Sequence, residues 1–331
     1  MGKVTALRRA CVGLERRVVL LSTVLVAATA VAYMSPRIPT IGNDMTDVSW
    51  ESLVLPAAGT PAEKSVTAAA TPPTSTAKLS DVFQTLGYDL NAVREHGMVP
   101  RVFLAALPRD LPAIPDSDAR KLVFIKMMLP LVLHVNEMVA HDRDRILSLR
   151  KTFARTKTLP AADGEWLRGM AASYGLDGDA DFDELLRRVD IVPTSLAVAQ
   201  AAIESGWGTS RFAHEGNALF GQYTFKDAST GLVPQDREDG KTHKVKSFDT
   251  LVDAVKAYAT NLNTNAAYEE FRKARAEMRA KALDPDGYDL AETLSNYSEQ
   301  RKAYVKSLRR LIDMNALSSF DDVRLSSRLA L

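Results

Sequence analysis

Hydrophobic and polar positions separate the chain into an apolar N-terminal segment, a polar stretch and a long region with helical periodicity. Val18 to Met34 is an uncharged, mostly apolar run that follows several lysines and arginines. Basic residues before an apolar segment place its N-terminal side in the cytoplasm. We therefore predict a membrane segment at residues 18–34, favouring an uncleaved anchor. The run is short for a membrane span and Ala30-Val31-Ala32 resembles a cleavage site, so a cleaved signal peptide stays open, with a buried soluble helix as a third alternative.

Residues 35–78 are rich in Ala, Thr, Pro and Ser, and they end in AAATPPTSTAK. Such a composition cannot bury enough apolar surface to offset chain entropy, which predicts an extended linker. A short apolar patch at Trp50 to Leu55 interrupts it. We favour a transient contact over a docking segment for this patch.

Residues 79–190 carry apolar side chains at helical spacing, which predicts a helical N-terminal part of the exported region. Pro130 lies inside the strongest apolar run and predicts a kink or a break there. Asn136 and Glu137 stand out as polar residues in the same run. They could line a cleft, but we favour a hydrogen-bonded or surface pair.

The stretch from Pro193 to Phe225 combines a helix, an acid at its end, a glycine-bounded turn and an aromatic loop. One helical face is apolar and is expected to pack inward: Leu196, Ala199, Ile203 and Trp207. Gln200 and Glu204 are four residues apart and share a second stripe. An acid among apolar residues can have its pKa raised by desolvation, as a general acid near neutral pH requires.

The remaining pattern predicts a small β-hairpin or flap over residues 226–249, because KVKSF alternates and glycines punctuate the segment. Helices follow from Thr250, with a break near Asn263 to Ala267 and a last pair of helices up to Leu317. We expect residues 318–331 to form a surface-exposed tail.

The composition of the chain argues against nucleic-acid binding and against common kinds of metal site. The chain has 42 basic and 41 acidic residues and a net charge of +1, so no overall field favours nucleic acid as a partner. Cys11 is the single cysteine, and the five histidines show no ligand spacing. The acidic run Asp177 to Glu184 departs from a calcium loop, which would need Gly at Phe182 and Glu at Arg188. We predict no metal and no organic cofactor.

The stretch AQAAIESGWGTSRFAHEGNALFG resembles the catalytic signature of N-acetylglucosaminidase-type peptidoglycan hydrolases, a mannosyl-glycoprotein endo-β-N-acetylglucosaminidase-like family of glycoside hydrolases. The resemblance runs from about Val99 to Leu317 and is greatest to the Bax-like branch in Gram-negative bacteria. It implies a mainly α fold, with a lysozyme-like helical domain at 191–317 and a β-hairpin beside the cleft. It also implies a cell-envelope location, with the inner membrane reached through residues 18–34 and the domain in the periplasm.

In the family, the Glu of the signature is the catalytic acid, which here is Glu204. The resemblance leaves two alternatives for the second group. Tyr297, in an N-Y-S run, would orient the substrate's own acetamido group, whereas Asp236 or Glu238 in the hairpin would act as a protein carboxylate. Neither acid has the T-E-Y context of related enzymes.

Sugar binding needs flat aromatic faces and amide groups. The candidates are Gln200, Trp207, Asn217, Phe220, Gln222 and Tyr223. We favour Trp207 and Phe220 as supports of the turn, Asn217 as a bond to its own loop, and Tyr223 as the direct substrate contact. Tyr304 is interpreted as a packing residue.

The expected function is an endo-β-N-acetylglucosaminidase that acts on peptidoglycan glycan strands. Two alternatives remain at this level: a lytic transglycosylase, which needs a single acid, and a catalytically silent wall-binding or scaffold protein. The sequence indicates no protein partner.

Overall fold

The computed structural model describes residues 75–178, 181–224, 231–234, 243–298 and 301–329. The predicted membrane segment, the 50–55 patch and nearly all of the predicted linker lie outside these residues. Within them, helices α1 to α11 occupy Thr76–Thr85, Leu90–His96, Ser117–Thr156, Ala161–Ser173, Phe182–Arg188, Thr194–Ser205, Arg211–Gly216, Leu251–Thr264, Glu269–Ala280, Gly287–Leu290 and Lys302–Met314. Strands β1 to β5 occupy Met98–Arg101, Tyr223–Thr224, Gly231–Leu232, Lys244–Lys246 and Arg324–Leu329. Short 3₁₀ turns occupy Leu111–Ala113, Ala266–Tyr268, Ala291–Leu294 and Leu317–Phe320.

The predicted mainly α fold is confirmed. Helix α1 begins inside the last residues of the predicted linker, because the Ser75 hydroxyl caps its first turn by accepting from Lys78 N at 3.4 Å. Leu79 and Phe83 on this helix are buried in the main core. Two apolar anchors one turn apart and a cap are enough to order the segment.

Helix α3, at 40 residues the longest element, runs through Pro130 without a break. A proline cannot donate to the carbonyl four residues earlier, which here is that of Lys126. The Tyr88 hydroxyl donates to this Lys126 carbonyl at 3.1 Å and replaces the missing bond. The break that Pro130 predicted therefore does not occur, because a tertiary contact satisfies the group that proline leaves unpaired.

Helix α3 is also long and apolar enough to cross a membrane by length and composition, but 67% of its apolar window is buried inside the protein. Its buried side chains join one hydrophobic core that extends in sequence from Leu79 to Leu325. The helix is thus a core element of this fold.

Helix α6 is buried on all sides from Thr194 to Ala202, whereas the sequence predicted a single inward face. It packs against α3, α11 and the 3₁₀ turn Leu317–Phe320. Alanines on its remaining faces let these neighbours approach closely, so the helix is central rather than amphipathic.

Buried polar groups hold in place the segment that leads into α6. The Arg275 side chain, fully buried, donates to the carbonyls of Asp190 and Ile191 at 3.1 and 2.7 Å. Asn136 exchanges two bonds with Val192, at 2.8 and 3.2 Å. Glu137 is on the surface in an ion pair, so the favoured interpretation of Asn136 and Glu137 as bonded or surface residues agrees with their positions.

A small antiparallel sheet in the order β2-β4-β3 forms the predicted hairpin region, with Tyr223 and Leu232 both paired with Val245. The hairpin acids Asp236 and Glu238 lie outside the described residues. A second sheet pairs β1 and β5 in parallel, with Val99 opposite Leu325.

The expectation of an exposed tail after Leu317 is wrong. Leu317 and Phe320 are fully buried and Leu325 is 4% exposed. The segment supplies β5 and a turn beneath α6, because its apolar side chains find a place in the core that sequence periodicity alone does not reveal.

Candidate active site

Glu204 lies in the last turn of α6, which the next residues end sharply. Gly206 adopts a left-handed conformation (φ 59°), and Trp207 N donates to Ala202 O at 2.8 Å in a helix-terminating bond. The Ser205 hydroxyl accepts from Gly208 N at 2.9 Å. Glu204 is thus held at a rigid helix end while its side chain stays partly exposed.

Gly208 lets the turn approach its neighbours closely. A β-carbon there would lie 2.9 Å from Leu111 Cδ2 and 3.0 Å from Phe124 Cδ2, and its φ is +74°. Gly221 has a similar role on the facing loop, where a β-carbon would come within 3.3 Å of Glu204 Oε2. The two glycines leave room for the turn and for the carboxyl group.

Burial raises the pKa of Glu204 to about 7, and a hydrogen bond from the Tyr304 hydroxyl opposes this rise. At neutral pH a substantial fraction of the carboxyl is therefore protonated and able to donate a proton. Partial exposure and a pKa near neutrality are the two properties that a general acid needs.

Among the described residues, four tyrosines act electrostatically on Glu204 or are affected by its charge: Tyr258, Tyr268, Tyr297 and Tyr304. Burial raises the pKa of each of them above its ordinary value, so all four remain protonated hydrogen-bond donors at neutral pH. Three of their rings are in contact: Tyr297 stacks on Tyr304 with the ring centroids 5.6 Å apart, and Tyr268 is tilted against Tyr297 at 5.8 Å.

Tyr297 is close enough to Glu204 for the carboxylate charge to raise its pKa, and its hydroxyl donates to Phe220 O at 3.1 Å. This bond ties the loop that carries Gly221 to the segment before α11. The hydroxyl oxygen still has lone pairs that could accept a hydrogen bond from a ligand.

The other predicted residues divide into buried supports and exposed groups. Gln200 was predicted to bind substrate, but its side chain is fully buried and both ends of its amide are bonded inside the protein, to Tyr258 and Tyr304. This placement corrects its role from sugar contact to support. Phe220 is 3% exposed and its ring stacks on Tyr258 at 4.0 Å, in agreement with the favoured support role.

Asn217 bonds a different loop from the one predicted. Its amide nitrogen donates to the carbonyls of Phe248 and Asp249 at 3.0 and 3.2 Å, and it ends α7 in a left-handed conformation. Gln222 donates to Ala257 O at 3.1 Å. Both amides therefore hold the loop between α7 and β2 in place.

Two aromatic residues of the candidate site reach the surface. Tyr223 is 46% exposed and lies edge-on to His243 at 5.1 Å. Trp207 is partly exposed, packs edge-on against Phe124 at 5.8 Å, and has the Lys121 ammonium 5.9 Å from its ring centre. Both side chains therefore leave part of an aromatic ring open to solvent.

The sequence missed two functional contacts. Tyr304, interpreted as packing, stacks on Tyr297 but also accepts from Gln200 Nε2 at 3.0 Å, and its hydroxyl acts to lower the pKa of Glu204. Asp321, in the segment predicted to be a tail, accepts from both Ser195 N and Ser195 Oγ at 2.7 Å. Neither has a local sequence signal, because each contact joins residues about one hundred positions apart.

In the part of the chain that the structure describes, no group of three or more His, Cys, Asp or Glu residues could hold a metal ion. Glu204 can supply a proton at this site, and the tyrosine hydroxyls can supply hydrogen bonds.

Comparison with known proteins shows which family this chain belongs to. The model of the mannosyl-glycoprotein endo-beta-N-acetylglucosaminidase family matches residues 179–317, which include Glu204 and its tyrosines. Protein bax of Escherichia coli is 31% identical over 212 residues, which cover 60% of this chain and 71% of that protein. The chain belongs to the Bax-like glucosaminidase family. It is a glycoside hydrolase by this membership, and the resemblance carried by the Glu204 stretch is confirmed.

Other relatives of this glucosaminidase share a smaller part of it. The peptidoglycan hydrolase FlgJ of Escherichia coli is 31% identical over 140 residues, 38% of this chain and 45% of FlgJ. FlgJ of Salmonella typhimurium is 30% identical over 132 residues, 36% of this chain and 41% of FlgJ. The chain thus spans less than half the length of FlgJ. The catalytic domain of the autolysin Auto from Listeria monocytogenes aligns with a TM-score of 0.30 and 16% identity, over 53% of this chain and 96% of that domain.

Proposed function

We propose that this glucosaminidase hydrolyses the β-1,4 bond after N-acetylglucosamine in the glycan strands of peptidoglycan, with Glu204 as the general acid. The observation that carries the proposal is Glu204 itself: a partly exposed acid in the family signature, with a pKa raised to about 7 by burial. Relatives described as peptidoglycan hydrolases support the substrate class.

In the proposed reaction, protonated Glu204 transfers its proton to the glycosidic oxygen as the bond to the anomeric carbon breaks. The leaving sugar departs with a hydroxyl group, and Glu204 is left as a carboxylate. The carbonyl oxygen of the 2-acetamido group then bonds to the anomeric carbon, and water opens the resulting ring to release the reducing end. Glu204 accepts a proton from that water and is ready for the next cycle.

Tyr297 is the proposed partner in this substrate-assisted route. Its hydroxyl donates to Phe220 O at 3.1 Å, so its lone pairs remain able to accept from the acetamido N–H. Holding the N–H in this way would aim the acetamido carbonyl at the anomeric carbon. The hairpin acids Asp236 and Glu238 are the competing candidates for the second group.

We place the activity in the cell envelope, with the catalytic part in the periplasm and residues 18–34 in the inner membrane. This location follows from the substrate class and from the basic-then-apolar N-terminus.

The test is digestion of purified sacculi by the wild type, by Glu204→Gln and by Glu277→Gln, a matched change at an exposed glutamate on α9. Glu204→Gln is expected to lose at least about a hundredfold in rate, since it removes the acid, while Glu277→Gln keeps wild-type activity. Mass spectrometry of the wild-type products should show reducing-end N-acetylglucosamine. Anhydromuramyl ends would identify a transglycosylase instead, and sacculus binding without released fragments would identify a silent binding protein.

A further inference from the structure

A chain of three buried side chains ends next to the Glu204 carboxyl group. The Tyr258 hydroxyl donates to Gln200 Oε1 at 2.7 Å, and Gln200 Nε2 donates to the Tyr304 hydroxyl oxygen at 3.0 Å. Glu204 lies one helical turn beyond Gln200 on the same stripe of α6, and its charge acts on Tyr304. Tyr258 and Gln200 are fully buried, and Tyr304 is 4% exposed. Three separate helices supply these residues: α8, α6 and α11.

The bonds in this chain run in one direction. An amide oxygen only accepts and an amide nitrogen only donates, so the bond from Tyr258 orients the Gln200 amide with its nitrogen toward Tyr304. The Tyr304 oxygen then accepts from Gln200, which leaves the single Tyr304 proton for donation to Glu204. Burial of Tyr258, Gln200 and Tyr304 excludes water as a competing partner between these three side chains.

We propose that Tyr304 is a positioning residue for the general acid: its hydroxyl, oriented by Gln200 and Tyr258, holds one Glu204 carboxyl oxygen and stabilises the carboxylate that remains after proton transfer. This inference rests on the proposed role of Glu204. A hydrogen bond to an ionised acceptor is about twice as strong as one between neutral groups, so the bond strengthens as the proton leaves. Tyr304 keeps its own proton throughout.

The groups that face Glu204 determine the direction in which its pKa moves when the Tyr304 hydroxyl is removed. Tyr258 comes from α8, Tyr268 from the 3₁₀ turn after it, Tyr297 from the loop before α11 and Tyr304 from α11. All are neutral in the working pH range, and burial is the main cause of the raised Glu204 pKa. Removal of the Tyr304 hydroxyl should therefore raise the Glu204 pKa further, because only the opposing hydrogen bond is lost.

The test is Tyr304→Phe, which keeps the ring that stacks on Tyr297 and removes only the hydroxyl. We expect kcat on sacculi to fall about tenfold or more, and the basic limb of the pH–rate profile to move to higher pH. The Glu204 carboxyl, followed by ¹³C NMR against a Glu204→Gln reference, should titrate at a higher pH in the variant. Tyr88→Phe is the matched control, because it also removes a buried tyrosine hydroxyl, one that bonds Lys126 O. Tyr88→Phe should change the free energy of unfolding but neither the pH–rate profile nor the Glu204 titration.

An unchanged Glu204 titration in Tyr304→Phe would overturn the inference, even if activity fell, because the hydroxyl would then act only through structure. Should Tyr304→Phe not fold, Gln200→Met removes the group that orients Tyr304 and is expected to move the titration in the same direction by less. No shift in that variant would also overturn it. The NMR titration does not depend on turnover, so a wild type that releases no glycan fragments refutes the proposed function while the titration still decides the role of Tyr304.

Discussion

At the scale of single residues, the site depends on a carboxyl group whose ionised form the fold disfavours. Glu204 would have an ordinary pKa near 4.5 in the unfolded chain, and burial raises the value to about 7 in the fold. A group whose folded pKa is raised contributes stability that is present below the unfolded pKa and is lost as the pH rises through the folded pKa. The buried Glu204 carboxyl group is therefore a local cost to stability above neutral pH.

This cost gives a stability prediction for Glu204→Gln. The variant should be more stable than the wild type at pH 8, by roughly 1 kcal/mol or more since solvent reduces the effect at a partly exposed carboxyl, and the difference should vanish near pH 4. Thermal unfolding of both proteins across this pH range measures it. A wild type that gains stability relative to the variant between pH 5 and pH 8 would contradict the raised pKa.

A second residue-scale prediction concerns the group that faces Glu204. Tyr297→Phe should lower kcat on sacculi by about tenfold or more, because it removes both the tie to Phe220 O and the proposed acceptor for the acetamido group. Asp236→Asn and Glu238→Gln, measured in parallel, should each keep most of the activity. Loss of activity in either of these and not in Tyr297→Phe would assign the second role to the hairpin.

At the scale of elements, the end of α6 is positioned by close packing as well as by its hydrogen bonds. Gly208 lies against Leu111 and Phe124 at distances that leave no room for a β-carbon, and these two side chains come from a 3₁₀ turn and from α3. The C-terminal end of α6 is thus closely packed between two other elements. This contact sets the position of the turn and, through it, that of Glu204.

Gly208→Ala tests this packing contact, and Gly97→Ala is its matched control. Both glycines have φ near +70°, but nothing lies within 4 Å of a β-carbon at Gly97. The left-handed conformation should cost each variant about 1–2 kcal/mol, and overpacking should cost Gly208→Ala a further 1–3 kcal/mol. Denaturant unfolding gives both values. Equal losses in the two variants would show that the packing contact is unimportant.

At the scale of the whole molecule, one core joins the helical part before residue 190, the glucosaminidase-family part and the segment after Leu317. The C-terminal segment contributes more than apolar contacts. Asp321 accepts from Ser195 in the first turn of α6 and from Gly287 N at 3.3 Å. The start of α6 is therefore held by Asp321, a residue more than one hundred positions further along the chain.

Asp321→Ala should lower the free energy of unfolding at pH 7 by about 1–3 kcal/mol, because the Ser195 and Gly287 donors lose their acceptor in a largely buried place. Asp322→Ala, at the exposed neighbouring residue, should change it by less than about 0.5 kcal/mol. Chemical denaturation of the two variants makes the comparison. Similar effects in both would mean that Asp321 does not hold α6.

Burial raises the pKa of Asp321 to about 6. The contribution of Asp321 to the free energy of unfolding of the wild type should therefore fall as the pH rises through 6.

The sequence was sufficient for everything that depends on local pattern. The helices around Glu204, the helix-ending Gly206 and the small hairpin sheet all follow from spacing and turn chemistry. These features are local, since hydrogen bonds within a helix and the φ preference of glycine act over a few residues. Placing Tyr297 beside the acid needed the family resemblance as well.

What only the tertiary structure decided are the partners across the core. Gln200 was predicted to reach the substrate, yet tyrosines of α8 and α11 bond both ends of its amide inside the protein. Tyr88 lets α3 pass Pro130, and the supposed tail holds the start of α6 through Asp321. Each is a hydrogen bond between groups far apart in sequence, made because burial leaves those groups no water to bond instead. Periodicity along the chain shows which side chains are apolar, but only the packed fold shows which buried polar groups meet.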